Sequence, residues 1–134
     1  MSAQSECLSP YEFGAAILTV AQNSLDGRAS YTDLWVYLHG EVPTYASFFR
    51  KFSRPFSQLG RACVELKLPY IGALIVAKRS RKPSKAAVDN MADFIKAHGI
   101  ATGRDAREYL DEQAKLAAAL TIEDLTQAFR QAAL

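Results

Sequence analysis

Apolar residues recur at three- and four-residue spacing along most of this 134-residue chain, and that spacing predicts helices. Polar residues suited to capping backbone N–H groups stand where each apolar pattern begins. The first helix is predicted to start after Ser9, with Glu12 completing a capping box, and to end at Asp26 and Gly27. Further predicted helices run over 33–39 after Ser30 or Thr32, over 44–52, over 55–66 after Ser53, and onward from Ser84, from 102–105 and from Thr121.

The run YIGALIVA at 70–77 departs from this period, because it is apolar throughout and contains β-branched residues. Such a run predicts a buried β-strand. The polar segment 78–83, KRSRKP, follows it as a turn that carries four positive charges. We predict that this segment, the basic turn, forms a wing able to lie along a phosphodiester backbone. The alternative is a loop that only aids solubility.

Positive charge is concentrated in the middle of the chain. Residues 50–85 contain ten Lys or Arg residues and one acidic residue, a net charge of +9. The other 98 residues contain six basic and thirteen acidic residues, a net charge of −7. Charges within about one Debye length of each other, roughly 8–10 Å, add their fields and attract phosphate groups. The pattern predicts a phosphate-facing surface, with a solvated basic face that binds nothing as the alternative.

The predicted helix 55–66 carries polar side chains suited to nucleic acid on its outer face. Arginine binds guanine edges or phosphate, serine binds phosphate and glutamine binds adenine. Cations that precede this helix and those of the basic turn extend the same surface. The candidate nucleic-acid-binding residues are Arg50, Lys51, Arg54, Ser57, Gln58, Arg61, Lys78, Arg79, Arg81, Lys82 and Lys85.

Four phenylalanines, Phe48, Phe49, Phe52 and Phe56, are interleaved with the first of these cations. Aromatic rings beside basic residues can stack on nucleobases. Their three- and four-residue spacing instead favours a buried stripe. Cys63 falls on the buried side of the helix that follows, which favours a small core residue over a reactive thiol.

Three short motifs stand in order ahead of the basic turn: Tyr-Thr-Asp-Leu at 31–34, Leu-Gly-Arg-Ala at 59–62 and Leu-Pro at 68–69. Together with the apolar run, they resemble the winged-helix DNA-binding module of alkylguanine-DNA alkyltransferases and alkyltransferase-like proteins. The segment 63–83 is also similar to small modules of restriction- and phage-associated proteins, some of them joined to HNH nucleases. In all, the resemblance covers roughly residues 31–116.

This resemblance implies a mainly α fold with a small β wing. A winged helix-turn-helix core is expected over 1–85, and a helical extension over 86–134 is expected to pack on it, giving a single compact domain. The resemblance also implies roles for candidate residues. Those at recognition-helix positions are Arg54, Ser57, Gln58 and Arg61, and those on the wing are Arg79, Arg81 and Lys82.

The resemblance does not extend to catalysis. The Pro-Cys-His-Arg segment that carries the alkyl-accepting cysteine is absent, and two isolated histidines, His39 and His98, do not supply an HNH metal site. The sequence contains no Walker or dinucleotide glycine pattern, no G-x-S-x-G elbow and no H-E-x-x-H motif. We therefore expect no enzymatic activity, no cofactor and no metal.

Cys7 and Cys63 are far apart and form no CxxC pattern, so both are expected to be free thiols. No apolar run approaches the roughly 20 residues that a transmembrane helix needs. The N-terminal segment also lacks the basic start and apolar block of a signal peptide. The chain is therefore predicted to be soluble and cytoplasmic.

The function expected from these features is non-enzymatic binding of duplex DNA, in a phage, defence or regulatory context. The alternative is a phage-type inhibitor or adaptor whose basic face binds a nucleic-acid-handling protein complex. A further option is an accessory subunit that forms a homodimer through its C-terminal helices, 86–134. The sequence leaves open whether the basic middle binds DNA or RNA.

Overall fold

The computed structural model of this chain describes residues 8–46, 48–100, 103 and 105–132. Over these residues the fold is mainly helical, which confirms the predicted class, and its β structure is one two-stranded parallel sheet. None of the helices in these ranges is long and apolar enough to cross a membrane. In chain order the elements are α1 (Pro10–Gln22), β1 (Ala29–Ser30), α2 (Tyr31–His39), a first 3₁₀ helix (Phe48–Phe52), α3 (Ser53–Leu66), a second 3₁₀ helix (Ile71–Leu74), β2 (Ile75–Val76), α4 (Lys85–Ala97), α5 (Ala106–Ala118) and α6 (Ile122–Ala132).

Capping side chains account for several of the predicted helix starts. The Ser9 hydroxyl accepts a hydrogen bond from the Glu12 N–H at 3.1 Å, and the Glu12 carboxylate accepts one from the Ser9 N–H at 3.2 Å. Ser30 and Ser84 cap α2 and α4, each accepting from the N–H three residues later. Because such caps satisfy backbone groups that a helix leaves unpaired, local sequence is enough to fix these starts.

The predicted cap at Ser53 is wrong. Ser53 is itself the first residue of α3, and the N-cap, Phe52, makes no side-chain capping hydrogen bond. The first 3₁₀ helix runs directly into α3, so the chain has no break at this point for a side chain to cap.

The last two helices begin at polar residues, as predicted. The Asp105 carboxylate accepts from the Glu108 N–H at 2.8 Å at the start of α5. Thr121 and Asp124 exchange two hydrogen bonds of 3.0 Å at the start of α6. The rest of the start predicted at 102–105 falls partly outside the described residues, as does the predicted free thiol of Cys7.

The strand predicted at 70–77 is wrong over most of its length. Ile71–Leu74 form a 3₁₀ helix, and only Ile75–Val76 are extended. Gly72 permits this tight path, because a Cβ at that position would lie 2.7 Å from the Tyr70 ring that folds over it. The run is apolar because most of it is buried in the core among helices, and burial alone does not distinguish a strand from a tight turn.

The short sheet joins distant parts of the chain. β2 lies parallel to β1, with Ile75 opposite Ala29. The basic turn follows β2, and the Ala77 N–H donates to the Lys82 carbonyl at 2.9 Å across it. No strand follows within residues 77–100, because the turn leads into α4. The turn is therefore not the tip of a β-hairpin.

α1 has a central position in the fold. Seven of its thirteen residues are buried, and it contacts α2, α3, α5, α6 and the second 3₁₀ helix. Phe13 and Leu59 share one buried cluster with residues of the C-terminal helices, including Leu110 and Leu125. Side chains from before and after residue 85 thus pack into the same core.

Candidate nucleic-acid interface

α3 has one buried and one exposed side, as its predicted spacing requires. Leu59, Gly60 and Cys63 are buried against the core. The polar residues predicted to contact nucleic acid are all exposed; they are Arg54, Ser57, Gln58 and Arg61. At a rise of 1.5 Å per residue they span about 10 Å of helix, so their charges act together within one Debye length.

The first 3₁₀ helix adds two exposed cations, Arg50 and Lys51, just ahead of α3. Phe52 anchors this helix, since its ring is 3% exposed and lies 6.2 Å from the ring of Phe56. Two consecutive elements, the first 3₁₀ helix and α3, therefore carry the predicted cations of residues 50–61. The rings of Phe52 and Phe56 pack these two elements together.

Phe49 departs from the predicted buried stripe. Its ring is 46% exposed, whereas Phe52 is buried and the rings of Phe48 and Phe56 are partly buried. Phe49 lies at the edge of the aromatic cluster, 6.2 Å from Tyr31 and 6.4 Å from Phe48 between ring centroids. Phe48 and Phe49 are adjacent, so they do not point to the same side of a helix, and the prediction of burial is wrong for Phe49.

Three arginines of this surface have no carboxylate partner among the residues that the structure describes. Arg50, Arg54 and Arg61 are exposed and make no ion pair there. An unpaired guanidinium keeps its N–H donors available to a phosphate or a base edge. Since Glu65 is the one acidic residue in α3, this face stays net positive.

Arg81 holds the basic turn to the rest of the fold. Its guanidinium donates two hydrogen bonds of 2.8 Å to the Asp26 carboxylate and one of 3.1 Å to the Arg28 carbonyl. The hydrogen bond from Arg81 holds the pKa of Asp26 at about 2, below its ordinary value of 3.8. Arg81 also adopts a left-handed backbone with φ of 57°, which is uncommon for a residue other than glycine and persists where surrounding contacts support it.

Two other predicted cations lie beside carboxylates. Lys78 Nζ is 3.5 Å from Asp33 Oδ1, and Lys85 Nζ is 3.2 Å from Asp89 Oδ2 one turn further along α4. These exposed pairs are weak and open readily to another anion. Two other cations of the turn are Arg79 and Lys82. Both are exposed, and neither makes an ion pair within the described part of the chain.

Sequence reasoning missed the carboxylates that organise the turn. Asp26 lies in the loop between α1 and β1, and Asp33 lies in the first turn of α2. Asp26 is 55 residues from Arg81 in sequence, so no local pattern connects the two. The parallel pairing of β1 with β2 brings them together, and that pairing was not predicted.

The exposed side of α3 is divided by its neighbour α4. Ser57 and Arg61 line a groove between the two helices, whereas Arg54 and Gln58 lie outside that groove. The four predicted contact residues therefore face two different environments, one open to solvent and one beside α4.

Cys63 lies on the buried side of α3. Cys63 is 2% exposed, which confirms the predicted small core residue, and burial raises the pKa of its thiol to about 11. Across the described ranges, no three His, Cys, Asp or Glu side chains are grouped so that they could hold a metal ion. What the surface offers is unpaired guanidinium, hydroxyl and amide groups.

Comparisons of this chain with known protein families, with curated proteins and with solved structures find no match. The resemblance to winged-helix modules therefore stays a prediction from the motifs in the sequence.

Proposed function

We propose that this chain binds duplex DNA without catalysing a reaction, using α3 as the recognition helix and the basic turn as a second contact. The observation that carries the proposal is the exposed face of α3, where Arg54 and Arg61 have no carboxylate partner among the described residues. An α-helix fits the DNA major groove, and its outward side chains then meet base edges and phosphates.

Each type of side chain has a distinct task in this proposal. Arg54 and Arg61 bind phosphates or guanine, and Gln58 pairs with adenine. Arg50 and Lys51 extend the phosphate contact beyond the start of α3. Neutralising about five phosphates makes the logarithm of affinity fall with the logarithm of salt concentration at a slope of about −4 to −5.

The basic turn takes the part of a wing in this proposal, although α4 and not a second strand follows it. Arg79 and Lys82 reach the DNA backbone, because they are exposed and unpaired within the described residues. Arg81 shapes the turn through Asp26 instead of binding phosphate directly. Of the predicted wing residues, Arg81 is thus a positioning residue.

The test is a fluorescence-anisotropy titration against a random-sequence duplex, a single strand and a structured RNA, at low and physiological salt. The double variant Arg54→Ala/Arg61→Ala should bind duplex at least about tenfold more weakly, because each arginine contact contributes about 1–3 kcal/mol. The matched control is Arg107→Ala/Arg130→Ala, which removes two exposed charges from α5 and α6. It should stay within about twofold of the unaltered protein.

Equal losses in the two double variants would mean that only net charge matters and would remove the case for α3. No saturable binding to duplex, or preferential binding to the single strand or the RNA, would likewise overturn the proposal for duplex DNA.

The second candidate function is an adaptor or inhibitor that covers a nucleic-acid-handling protein. The observation that favours it is Phe49, whose ring is 46% exposed directly beside Arg50. Exposed aromatic residues next to arginine are typical of protein interfaces, whereas phosphate contacts do not require them. Weak, non-saturable duplex binding together with tight, saturable binding to a purified protein complex, lost in Phe49→Ala, would decide for this function.

A further inference from the structure

A groove lies between α3 and α4, beside the candidate interface. Its volume is about 750 Å³, within the range of about 300–1,000 Å³ typical of small-molecule sites. It is half-open, so a ligand there would keep one side in solvent. Its size and shape therefore suit a small molecule better than a protein segment or a DNA duplex.

The packing of α4 explains why a groove exists. α4 packs chiefly on α5 and approaches α3 closely at Gly60, where a Cβ would lie 2.8 Å from the Phe94 ring. Tyr31 also lines the groove, and its ring lies 6.1 Å from that of Phe56 of α3. Side chains of α3 and α4, together with Tyr31, thus enclose the groove.

The lining of the groove combines aromatic rings with arginine side chains. Phe56, Tyr70 and Phe94 contribute rings to its lining, and Tyr70 stacks on Phe94 at a centroid distance of 5.0 Å. Arg50 lines the groove and has no ion pair among the described residues. Arg61 lines it as well, and Ala86, in the first turn of α4, brings the positively polarised start of that helix to the groove.

We propose that this groove binds a nucleoside monophosphate. The flat, polarisable base lies over the aromatic rings, where stacking stabilises it. The phosphate lies beside Arg50 and the start of α4, where guanidinium and backbone N–H groups favour an anion. Asn90, on the α4 rim, offers an amide that both donates and accepts hydrogen bonds to the edge of a base.

One carboxylate limits the ligand to a single nucleotide unit. Asp93 lines the groove seven residues along α4 from Ala86, about 10 Å away along the helix axis. Its negative charge repels a phosphate placed beside it, so a continuous strand that runs past Asp93 is disfavoured relative to a monophosphate. This site shares Arg50, Ser57 and Arg61 with the duplex-binding face proposed above, whereas Arg54 and Gln58 lie outside the groove.

The test is isothermal titration calorimetry of the whole chain with adenosine and guanosine 5′-monophosphate, the parent nucleosides and inorganic phosphate. At least one nucleotide should bind saturably with one site per chain. Its nucleoside and inorganic phosphate should each bind at least about tenfold more weakly, because each makes only part of the contacts. A single-stranded oligonucleotide that competes for the groove as well as the nucleotide does would contradict the role of Asp93.

Two variants locate the site and one serves as the matched control. Arg50→Ala should weaken nucleotide binding about tenfold or more, and Asn90→Trp should abolish it by filling the groove. Arg54→Ala should leave it within about twofold, since this arginine lies outside the groove. Circular dichroism should confirm that all three remain helical.

The proposal is overturned if no nucleotide binds saturably, or if Arg54→Ala and Arg50→Ala weaken binding equally. It shares Arg50 and Arg61 with the duplex-binding proposal, but the two can fail separately, because Asn90→Trp fills the groove and leaves the exposed cations of α3 in place. Loss of nucleotide binding with duplex binding retained in that variant would show that the nucleotide needs the groove and the duplex does not.

Discussion

Cys63 lies on the buried side of α3, where 2% of its surface is exposed and burial raises the pKa of its thiol to about 11. A thiol must lose its proton to act as a nucleophile. At pH 8, a pKa of about 11 leaves about one molecule in a thousand as thiolate, even before access is considered. Burial thus makes Cys63 a packing residue and not a reactive thiol.

In a Cys7→Ser variant, Cys63 should not react with an aromatic disulfide reagent at pH 8 while the protein is folded. Full reaction should occur once guanidinium unfolds the chain, because unfolding restores an ordinary thiol pKa and exposes the sulfur. The absorbance of the coloured thiolate that the reagent releases measures the reaction in the folded and in the unfolded protein. Rapid reaction of the native protein would show that the thiol is accessible, contrary to its burial.

The basic turn shows what one ion pair does at the scale of an element. Arg81 and Asp26 are each about one-third exposed, with 31% and 37% of the side-chain surface accessible. Solvent screening therefore limits the stability gained from the pair to about 0.5–1 kcal/mol, well below what the pKa shift alone would indicate. Its main effect is to fix the path of the turn between β2 and α4.

Arg81→Ala should lower the free energy of unfolding by about 0.5–1 kcal/mol at pH 7, whereas Arg79→Ala should leave it nearly unchanged. The pKa of Asp26 is lower in the folded chain, about 2, than its ordinary value of 3.8. The pair therefore stabilises the fold fully above about pH 3.8, and this contribution is lost as the pH falls through about 2.

Urea denaturation of the three proteins at several pH values measures this effect. The difference in the free energy of unfolding between the unaltered protein and Arg81→Ala should become smaller as the pH falls from 4 to 2. If this difference stays constant over that range, the arginine stabilises the turn in another way.

The sequence predicted the features that depend on residues close together in the chain. It did not predict those that depend on residues far apart in the chain. The caps at Ser9, Ser30 and Ser84 act within three residues, so their motifs are complete in the sequence. The parallel pairing of β1 with β2 depends on residues far apart, as does the Asp26–Arg81 pair. The same limit applies to the site: helical spacing gave the exposed face of α3, but the groove beside it depends on where α4 packs.

At the scale of the whole molecule, the C-terminal helices contribute to the core as well as to the surface. Leu125 of α6 is fully buried, and its methyl group would lie 3.4 Å from a Cβ added at Gly14 of α1. Leu116 of α5 is 50% exposed. Two leucines of the same segment therefore have opposite surroundings, which allows a direct comparison.

Leu125→Ala should lower the free energy of unfolding by about 2–5 kcal/mol, because it leaves a cavity in the core. Leu116→Ala should change it by less than about 1 kcal/mol. Urea denaturation followed by circular dichroism measures both. If both variants lower the free energy of unfolding by similarly small amounts, α6 packs loosely and residues 8–100 are stable without it.

The contact between α1 and α6 also affects the order in which this chain acquires its structure during synthesis. The Tyr11 hydroxyl lies 2.8 Å from the Thr126 hydroxyl, and the ring of Tyr11 meets that of Phe129 edge-on at 5.6 Å. The ribosome makes α1 first among the described elements and α6 last. The apolar face of α1 therefore stays partly uncovered until α6 has emerged from the ribosome, and in that interval it is a target for chaperones that bind exposed apolar helices.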